Sequence, residues 1–170
     1  GALINSAVHS LDLVLWLMGF PEPVAVSGMT CQKFYKNSAY QAQWANRQDL
    51  PDVEDFAVGF VRFQNGVALQ IEADWFALAN RRGADVVGTH GEIHFDPYRA
   101  YEVNEQGQAI DVTPELPGEW NGHDRLIANV VDCIRNGGQP LVKPEEALCG
   151  QRIMDALYAS AKRGREVRIE

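Results

Sequence analysis

The chain has 170 residues and a formal net charge of −8 at pH 7, and 46% of its residues are hydrophobic. Nucleic acids and anionic membranes are bound through a basic face that replaces counterions, so neither is an expected partner of this acidic chain. A chain of this length is expected to form a single domain over residues 1–170 whose core needs no metal or disulfide. The three cysteines are odd in number and far apart, which favours reduced thiols in a cytoplasmic protein.

The first predicted element is a helix over residues 5–18. Asn5 or Ser6 is expected to cap its start, and Gly19 followed by Pro21 is expected to end it. The apolar part of this helix is too short to span a bilayer and contains a charged residue, so no membrane partner is expected.

A β-type run follows over residues 23–35, and residues 36–51 predict a long loop because they show no clear periodicity. Residues 53–63 alternate in hydrophobicity and lead into Asn65-Gly66, which is the strongest signal for a two-residue hairpin turn. Residues 67–78 are the predicted return strand. This hairpin is apolar on both faces, so both of its faces are expected to be covered over much of their length.

The remaining elements are short strands and two closing helices. They are predicted over residues 83–89, 92–95, 100–103 and 109–112 (strands), 123–135 and 144–162 (helices), and 167–169 (an edge strand). A helix, then strands, then two helices and a last strand is typical of an α+β domain with an antiparallel or mixed sheet.

Polar residues in the first helix form one narrow stripe. At 100° per residue, Asn5, His9, Asp12 and Trp16 share one side of the helix, whereas its other sides are apolar. Since unsatisfied buried polar groups are costly, the stripe is expected to meet a partner, a cavity or a ligand. Asp12 lies one turn from His9 and can orient the imidazole. A purely structural alternative stays open, namely a helix cap and a buried His–Asp pair.

Other motifs are absent from the sequence. No His, Cys or carboxylate grouping has the spacing of a metal site, so no metal is expected. No GxGxxG motif, phosphate-binding loop or GxSxG motif occurs, so no cofactor-binding residues are predicted in this chain.

Four stretches resemble the C-terminal domain of the Gfo/Idh/MocA oxidoreductases. The first is GALINSAVHSLDL at residues 1–13, where the family's usual pattern is GGxLxDxGxHxxD. The others are VEDFA at residues 53–57 with the Asn-Gly hairpin, GTHGEIHFDP at 88–97 and AKRGREVRI at 161–169. The resemblance therefore covers nearly the whole chain.

The resemblance implies a large, mostly antiparallel open β-sheet with helices packed on one face. It implies a substrate-binding and dimerisation domain of an enzyme that oxidises a secondary alcohol of a sugar, polyol or related small molecule. NAD or NADP would be held by an N-terminal Rossmann domain with a catalytic lysine, and both are absent from this chain. The chain alone is therefore expected to be inactive and to bind no nicotinamide.

Two positions depart from the family pattern. Asn5 replaces the family's catalytic aspartate and Ala7 replaces a glycine. Asn5 cannot take up a proton, but it can hydrogen-bond a substrate hydroxyl. By resemblance His9 is the acid/base residue. From their place on the stripe, Asp12 is expected to support His9, and Trp16 is expected to contact the substrate together with Asn5 and His9. The rival hypothesis is a non-catalytic ligand-binding or dimerisation module that retains the family fold, and Asn5 favours it.

The chain is also predicted to self-associate as a dimer through the sheet that contains residues 53–78. The helices at both ends of the chain can cover one face of this sheet, and no further long helix is predicted for the other. Soluble monomers rarely expose an apolar face of that size, and a two-fold partner would cover it.

Overall fold

The computed structural model describes residues 1–37, 52–78, 82–116, 118 and 121–169, and the predicted loop at 36–51 lies almost entirely outside them. The chain divides into two compact units, Gly1–Arg81 with Glu146–Glu170 and Arg82–Glu145. The elements, in chain order, are a π-helical segment Leu3–Ala7, α1 Val8–Leu17, β1 Pro23–Cys31, β2 Phe56–Phe63, β3 Ala68–Asp74, β4 Asp85–Val87, β5 Gly91–Phe95, β6 Tyr98–Val103, β7 Ala109–Asp111, α2 Gly122–Asn136, α3 Pro144–Arg163 and β8 Val167–Arg168.

The first unit is a four-stranded antiparallel sheet in the order β3-β2-β1-β8. The short β8 pairs with β1 at the edge of the sheet, as the sequence predicts. The segment that contains α1 packs with α3 against one sheet face. This core includes Leu3, Leu11, Leu15, Val26, Ala57, Val61, Ile71, Ile153 and Leu157. The predicted α+β class with helices on one face of an antiparallel sheet is therefore confirmed.

Side chains on the opposite face of this sheet are exposed in the described part of the chain. Phe60 and Met29 are 43% and 54% exposed, and β3 contributes the exposed polar side chains of Gln70 and Glu72. Among the described residues, the expectation that both faces of the hairpin are covered is therefore not met. The alternation of burial along β2 follows the two-residue period of a strand, since its buried positions are 57, 59, 61 and 63.

The turn between β2 and β3 has three residues rather than the predicted two. The backbone N–H of Phe63 donates to the carbonyl of Val67, which leaves Gln64, Asn65 and Gly66 in the loop. Gly66 has a φ of +83°, which an L-residue rarely adopts and which a three-residue hairpin loop requires at its last position.

The second unit contains another four-stranded antiparallel sheet, in the order β4-β5-β6-β7. The resemblance implies one large sheet, whereas the described residues form two sheets of four strands each. Helix α2 is capped at its start by Asn121, whose side chain accepts the backbone N–H groups of His123 and Asp124, and at its end by Gly137, which has a φ of +70°. Asn before a helix and Gly just after it are both common cap residues. No helix in the described part of the chain is long and apolar enough to cross a membrane.

Candidate functional site

The predicted polar stripe lies on the exposed side of the first helix. Asn5, His9, Asp12 and Trp16 are all exposed, and Trp16 is 60% exposed. The opposite side of the helix is buried in the core through Leu3, Leu11, Val14 and Leu15. Four predicted site residues therefore share one face, although that face is exposed rather than buried within this chain.

His9 and Asp12 lie one helical turn apart on this face. Neither side chain makes a hydrogen bond or an ion pair with the residues that the structure describes. Both are consequently free to face a molecule that approaches the helix. The buried His–Asp pair of the structural alternative is not present, because both residues are exposed.

The helix starts earlier than predicted, and its start is not capped by Asn5 or Ser6. Helical geometry begins at Ala2 with a π-helical segment, and no side-chain cap closes that start. The Ser6 hydroxyl instead accepts a hydrogen bond from the indole N–H of Trp75 at 2.7 Å. The prediction failed because the groups that hold the helix start come from distant parts of the chain, and local spacing carries no trace of them.

Glu54 is the residue that meets the helix start. Its carboxylate Oε1 accepts the backbone N–H of Leu3 at 3.0 Å and the hydroxyl of Tyr158 at 2.8 Å, and its carbonyl accepts the N–H of Ala2 at 3.1 Å. Burial, followed by the hydrogen bond to Glu54, raises the pKa of Tyr158 above its ordinary value. Sequence reasoning missed both residues, although Glu54 lies within the VEDFA stretch at 53–57.

Asp55, the next residue, organises the loop after β1. It is fully buried, and its carboxylate accepts the backbone N–H groups of Lys33, Phe34 and Tyr35 at 3.2, 2.8 and 3.1 Å. Tyr35 then packs edge-to-face on Trp75, with ring centroids 6.1 Å apart. This loop and the Trp75 ring therefore support the first turn of the helix that carries the polar stripe, which we call the site helix.

The helix ends where the sequence predicts. The N–H of Gly19 donates to the carbonyl of Trp16, and the N–H of Phe20 donates to that of Leu15. Gly19 has a φ of +71°, which satisfies the last carbonyls by turning the chain back, and Pro21 cannot continue the helix. The exposed Trp16 is thus in the last turn, at the opposite end of the stripe from Asn5.

A nicotinamide dinucleotide does not fit the residues described here. Its phosphates are usually bound by backbone N–H groups where a glycine-rich turn joins a parallel strand directly to a helix. All strand pairs in the described ranges are antiparallel, and no strand there runs directly into a helix. Also within those ranges, no group of three or more metal-ligating side chains gathers at one place.

The second unit contains a titratable cluster that the sequence analysis did not identify. Nδ1 of His94 lies 2.7 Å from Asp85, and Nε2 lies 3.2 Å from Glu92. The hydrogen bond to Glu92, followed by that to Asp85, raises the pKa of His94. The cross-strand register of β4 and β5, which pairs Asp85 with His94, is the signal that would have revealed it.

The fold and the site define the class of this protein as an α+β domain. Its candidate site is a helix that carries a histidine and is exposed beside an antiparallel sheet. Residues 1–169 match the model of the "Oxidoreductase family, C-terminal alpha/beta domain", and the chain belongs to this family of Gfo/Idh/MocA oxidoreductases. The resemblance stated from the sequence is confirmed.

Curated relatives are similar over the whole chain. The scyllo-inositol 2-dehydrogenase (NAD(+)) of Bacillus subtilis (strain 168) is 25% identical over 100% of this chain and 48% of its own length. The D-glucoside 3-dehydrogenase of Escherichia coli (strain K12) is 25% identical over 99% of the chain and 49% of its own length. The chain therefore spans about half the length of these relatives.

A solved structure shows the same fold. The aldose-aldose oxidoreductase from Caulobacter crescentus, complexed with glycerol, has a TM-score of 0.74 and 21% identity, with 99% of this chain and 47% of that one covered. At this identity the likeness supports the architecture of the domain alone.

Proposed function

We propose that this chain is the substrate-binding and dimerisation domain of a NAD(P)-dependent oxidoreductase that acts on a secondary alcohol of a sugar, polyol or related small molecule. The observation that carries the proposal is the exposed stripe of Asn5, His9 and Trp16 on one helix face. The names of two relatives, a scyllo-inositol dehydrogenase and a D-glucoside dehydrogenase, support this class of substrate.

His9 would perform the proton transfer. In the oxidation direction, the imidazole takes the proton of the substrate hydroxyl while the C–H bond of the carbinol carbon breaks and a carbonyl forms. A nicotinamide bound elsewhere in the full-length protein would supply the hydride acceptor. Asp12, one turn away, would stabilise the imidazolium that results.

Asn5 and Trp16 would bind and orient the ring. The amide of Asn5 can both donate to and accept from a second hydroxyl, so it fits a polyol without moving a proton. Trp16 offers an apolar ring surface with one N–H donor, which suits the C–H face of a sugar or cyclitol. Trp16 lies seven positions after His9, and at about 1.5 Å per residue their Cα atoms lie roughly 10 Å apart along the helix.

The nicotinamide would be held by an additional Rossmann domain outside residues 1–170. Hydride transfer requires the cofactor to be fixed against the carbinol carbon, and the described residues do not provide such a site. The open face of the first sheet, with Met29 and Phe60 exposed, supports a homodimer as the working form.

A non-catalytic binding or dimerisation module is the second candidate. Asn5 favours this module because an amide cannot replace the family's carboxylate in proton transfer. A second reason is that His9 makes no hydrogen bond among the described residues that would orient its ring. This candidate predicts ligand binding without turnover.

One experiment separates the two functions. The full-length protein would be given scyllo-inositol, myo-inositol, D-glucose and a methyl glucoside, with NAD⁺ and NADP⁺, while the absorbance of the reduced nicotinamide is followed. Turnover of any of them supports the enzyme. Calorimetric binding of one compound without turnover supports the module and overturns the enzyme. The chain of 170 residues alone should show no saturable NADH or NADPH fluorescence change at micromolar concentration.

A further inference from the structure

Glu54 and Tyr158 join the start of the site helix to both layers of the first unit. Glu54 lies two residues before β2, and Tyr158 lies in α3. Their side chains meet at 2.8 Å, and the same Glu54 oxygen accepts the N–H of Leu3 at 3.0 Å. The first N–H groups of a helix have no partner within the helix, so an acceptor from outside stabilises them.

The contact lies close to Asn5 in the chain. The carbonyl of Glu54 also accepts the N–H of Ala2 at 3.1 Å, so Glu54 contacts two consecutive residues, Ala2 and Leu3. Asn5 lies two residues after Leu3, in the same π-helical segment. The backbone just before Asn5 is therefore held by Glu54, which lies 51 residues from Leu3 in sequence, and Tyr158 in turn holds the Glu54 carboxylate.

Gly1 provides the space for this contact. A Cβ atom built at Gly1 would overlap the carboxylate of Glu54. A side chain at position 1 would therefore displace that carboxylate from the N–H of Leu3. The absence of a side chain at position 1 is therefore a second observation that supports a specific contact between Glu54 and the helix start.

We propose that Glu54 and Tyr158 are positioning residues, which hold the first turn of the site helix so that Asn5 meets the substrate beside His9. This inference rests on the proposed function. In this role Glu54 does not contact the substrate, because its carboxylate is directed at the backbone of Leu3 and at the Tyr158 hydroxyl.

Tyr158 is suited to a permanent donor role. Its pKa is raised above the ordinary value by burial and then by Glu54, so the hydroxyl keeps its proton throughout the neutral range. The anchor is therefore expected to be independent of pH near neutrality. The pH profile of turnover, which would report His9, should keep its shape when the anchor is altered.

The test uses substitutions in the full-length protein and two independent readouts. Glu54→Ala removes the acceptor, Tyr158→Phe removes the hydroxyl with little change in shape, and Glu54→Gln keeps an acceptor oxygen. Glu166→Ala is the matched control, because Glu166 forms an exposed ion pair with Arg62 at 3.2 Å and such pairs contribute little. Hydrogen exchange of residues 2–6 reports the anchor, and steady-state kinetics with the best substrate of the panel reports its use.

Glu54→Ala should speed exchange at residues 2–6 by about tenfold, the size expected for one hydrogen bond to a charged group. It should raise KM by a similar factor and leave the pH profile of kcat unchanged. Tyr158→Phe should act in the same direction to a smaller extent. Glu54→Gln should restore both readouts to within about threefold of wild type.

Unchanged exchange in Glu54→Ala and in Tyr158→Phe would overturn the anchor. Faster exchange with unchanged KM and kcat in an active protein would overturn the positioning role. If Glu54→Ala does not fold, the nearly isosteric Tyr158→Phe decides both points. An inactive wild type would instead sink the proposed function and, with it, the positioning role, while the exchange result still decides whether the anchor exists.

Discussion

The backbone N–H of Tyr35 donates to the carboxylate of Asp55 at 3.1 Å, and both residues are fully or almost fully buried. The same carboxylate accepts two more backbone N–H groups, from Lys33 and Phe34. A buried carboxylate is costly unless it is hydrogen-bonded, and here three donors of an irregular loop compensate for its burial. The buried carboxylate of Asp55 and the backbone of the loop after β1 therefore stabilise each other.

Asp55→Ala is expected to lower the free energy of unfolding by about 3 kcal/mol or more, because three backbone N–H groups, one in a buried and two in partly buried hydrogen bonds, lose their acceptor. Asp55→Asn should cost less, since its one amide oxygen still accepts from part of the loop. Urea unfolding monitored by circular dichroism measures both. Asp52→Ala, at an exposed position nearby, is the control and should change the stability by less than about 0.5 kcal/mol. A similar loss in both variants would contradict the role of Asp55.

Gly28 and Gly59 lie beneath Leu157 of α3. A Cβ at Gly59 would lie 2.5 Å from Cδ1 of Leu157, and one at Gly28 would lie 2.7 Å from its Cγ. Gly59→Ala should therefore destabilise the chain by roughly 1–3 kcal/mol through overpacking. Gly122→Ala is the control, because no atom lies within 4 Å of its Cβ position, and it should be neutral or slightly stabilising.

A double substitution tests the cause. Leu157→Ala alone should cost about 2–5 kcal/mol because it leaves a cavity. If overpacking explains Gly59→Ala, the pair Gly59→Ala and Leu157→Ala should cost less than the sum of the two single losses, as measured by a double-mutant cycle. Strict additivity would show that Gly59 is required for another reason.

The elements could be predicted from periodicity because burial follows it closely. The alternation at residues 53–63 predicted β2, Phe56–Phe63, and the helix predicted over residues 123–135 is α2, Gly122–Asn136. The extra residue in the Asn65-Gly66 turn could not be predicted, since the sequence does not show that Phe63 pairs with Val67. The number of sheets was equally hidden, because strand pairing depends on tertiary contacts.

The stripe of the candidate site was predictable for the same reason, since a helix places Asn5, His9, Asp12 and Trp16 on one side. The contacts that hold the start of this helix could not be predicted. Glu54 reaches Leu3 across 51 residues of sequence, and no local pattern encodes such a contact. The helix start was misplaced because Glu54 takes over the role that a cap residue would have.

His9→Ala in the full-length protein is expected to reduce kcat by roughly 10²–10⁴, the usual size of general acid–base catalysis. The melting temperature should be almost unchanged, because His9 is exposed and makes no hydrogen bond to the described residues. Leu15→Ala is the matched control from the buried side of the same helix, with a large loss of stability and retained activity per folded molecule. A His9→Ala protein with normal kcat would refute the catalytic role.

The cluster around His94 predicts a pH dependence in the second unit. Because hydrogen bonds to Glu92 and then Asp85 raise the pKa of His94, the folded state binds its proton more tightly than the unfolded state. This stabilisation is fully present below the unfolded pKa, near 6.5, and is lost as the pH rises through the folded pKa. NMR titration should show a midpoint above 6.5, lowered more by Glu92→Gln than by Asp85→Asn. A midpoint insensitive to both would contradict the assignment.

The last prediction is that the chain self-associates through the open face of the first sheet. Met29 and Phe60 are exposed there, and they lie on the two central, directly paired strands β1 and β2. A two-fold partner that presents the same face would remove this apolar surface from water. Light scattering at micromolar concentration should give about twice the mass of one chain, which is 18.9 kDa.

Phe60→Glu should shift the mass toward that of a single chain, because the interface would bury a charge introduced on each partner, and burying a charge is costly. Val87→Glu makes the same change at an exposed strand residue of the second sheet and should leave the mass unaltered. The contact is specific only if the two variants differ. A mass of 18.9 kDa that persists for the unaltered chain as its concentration rises would contradict the dimer, since mass action would by then have favoured association.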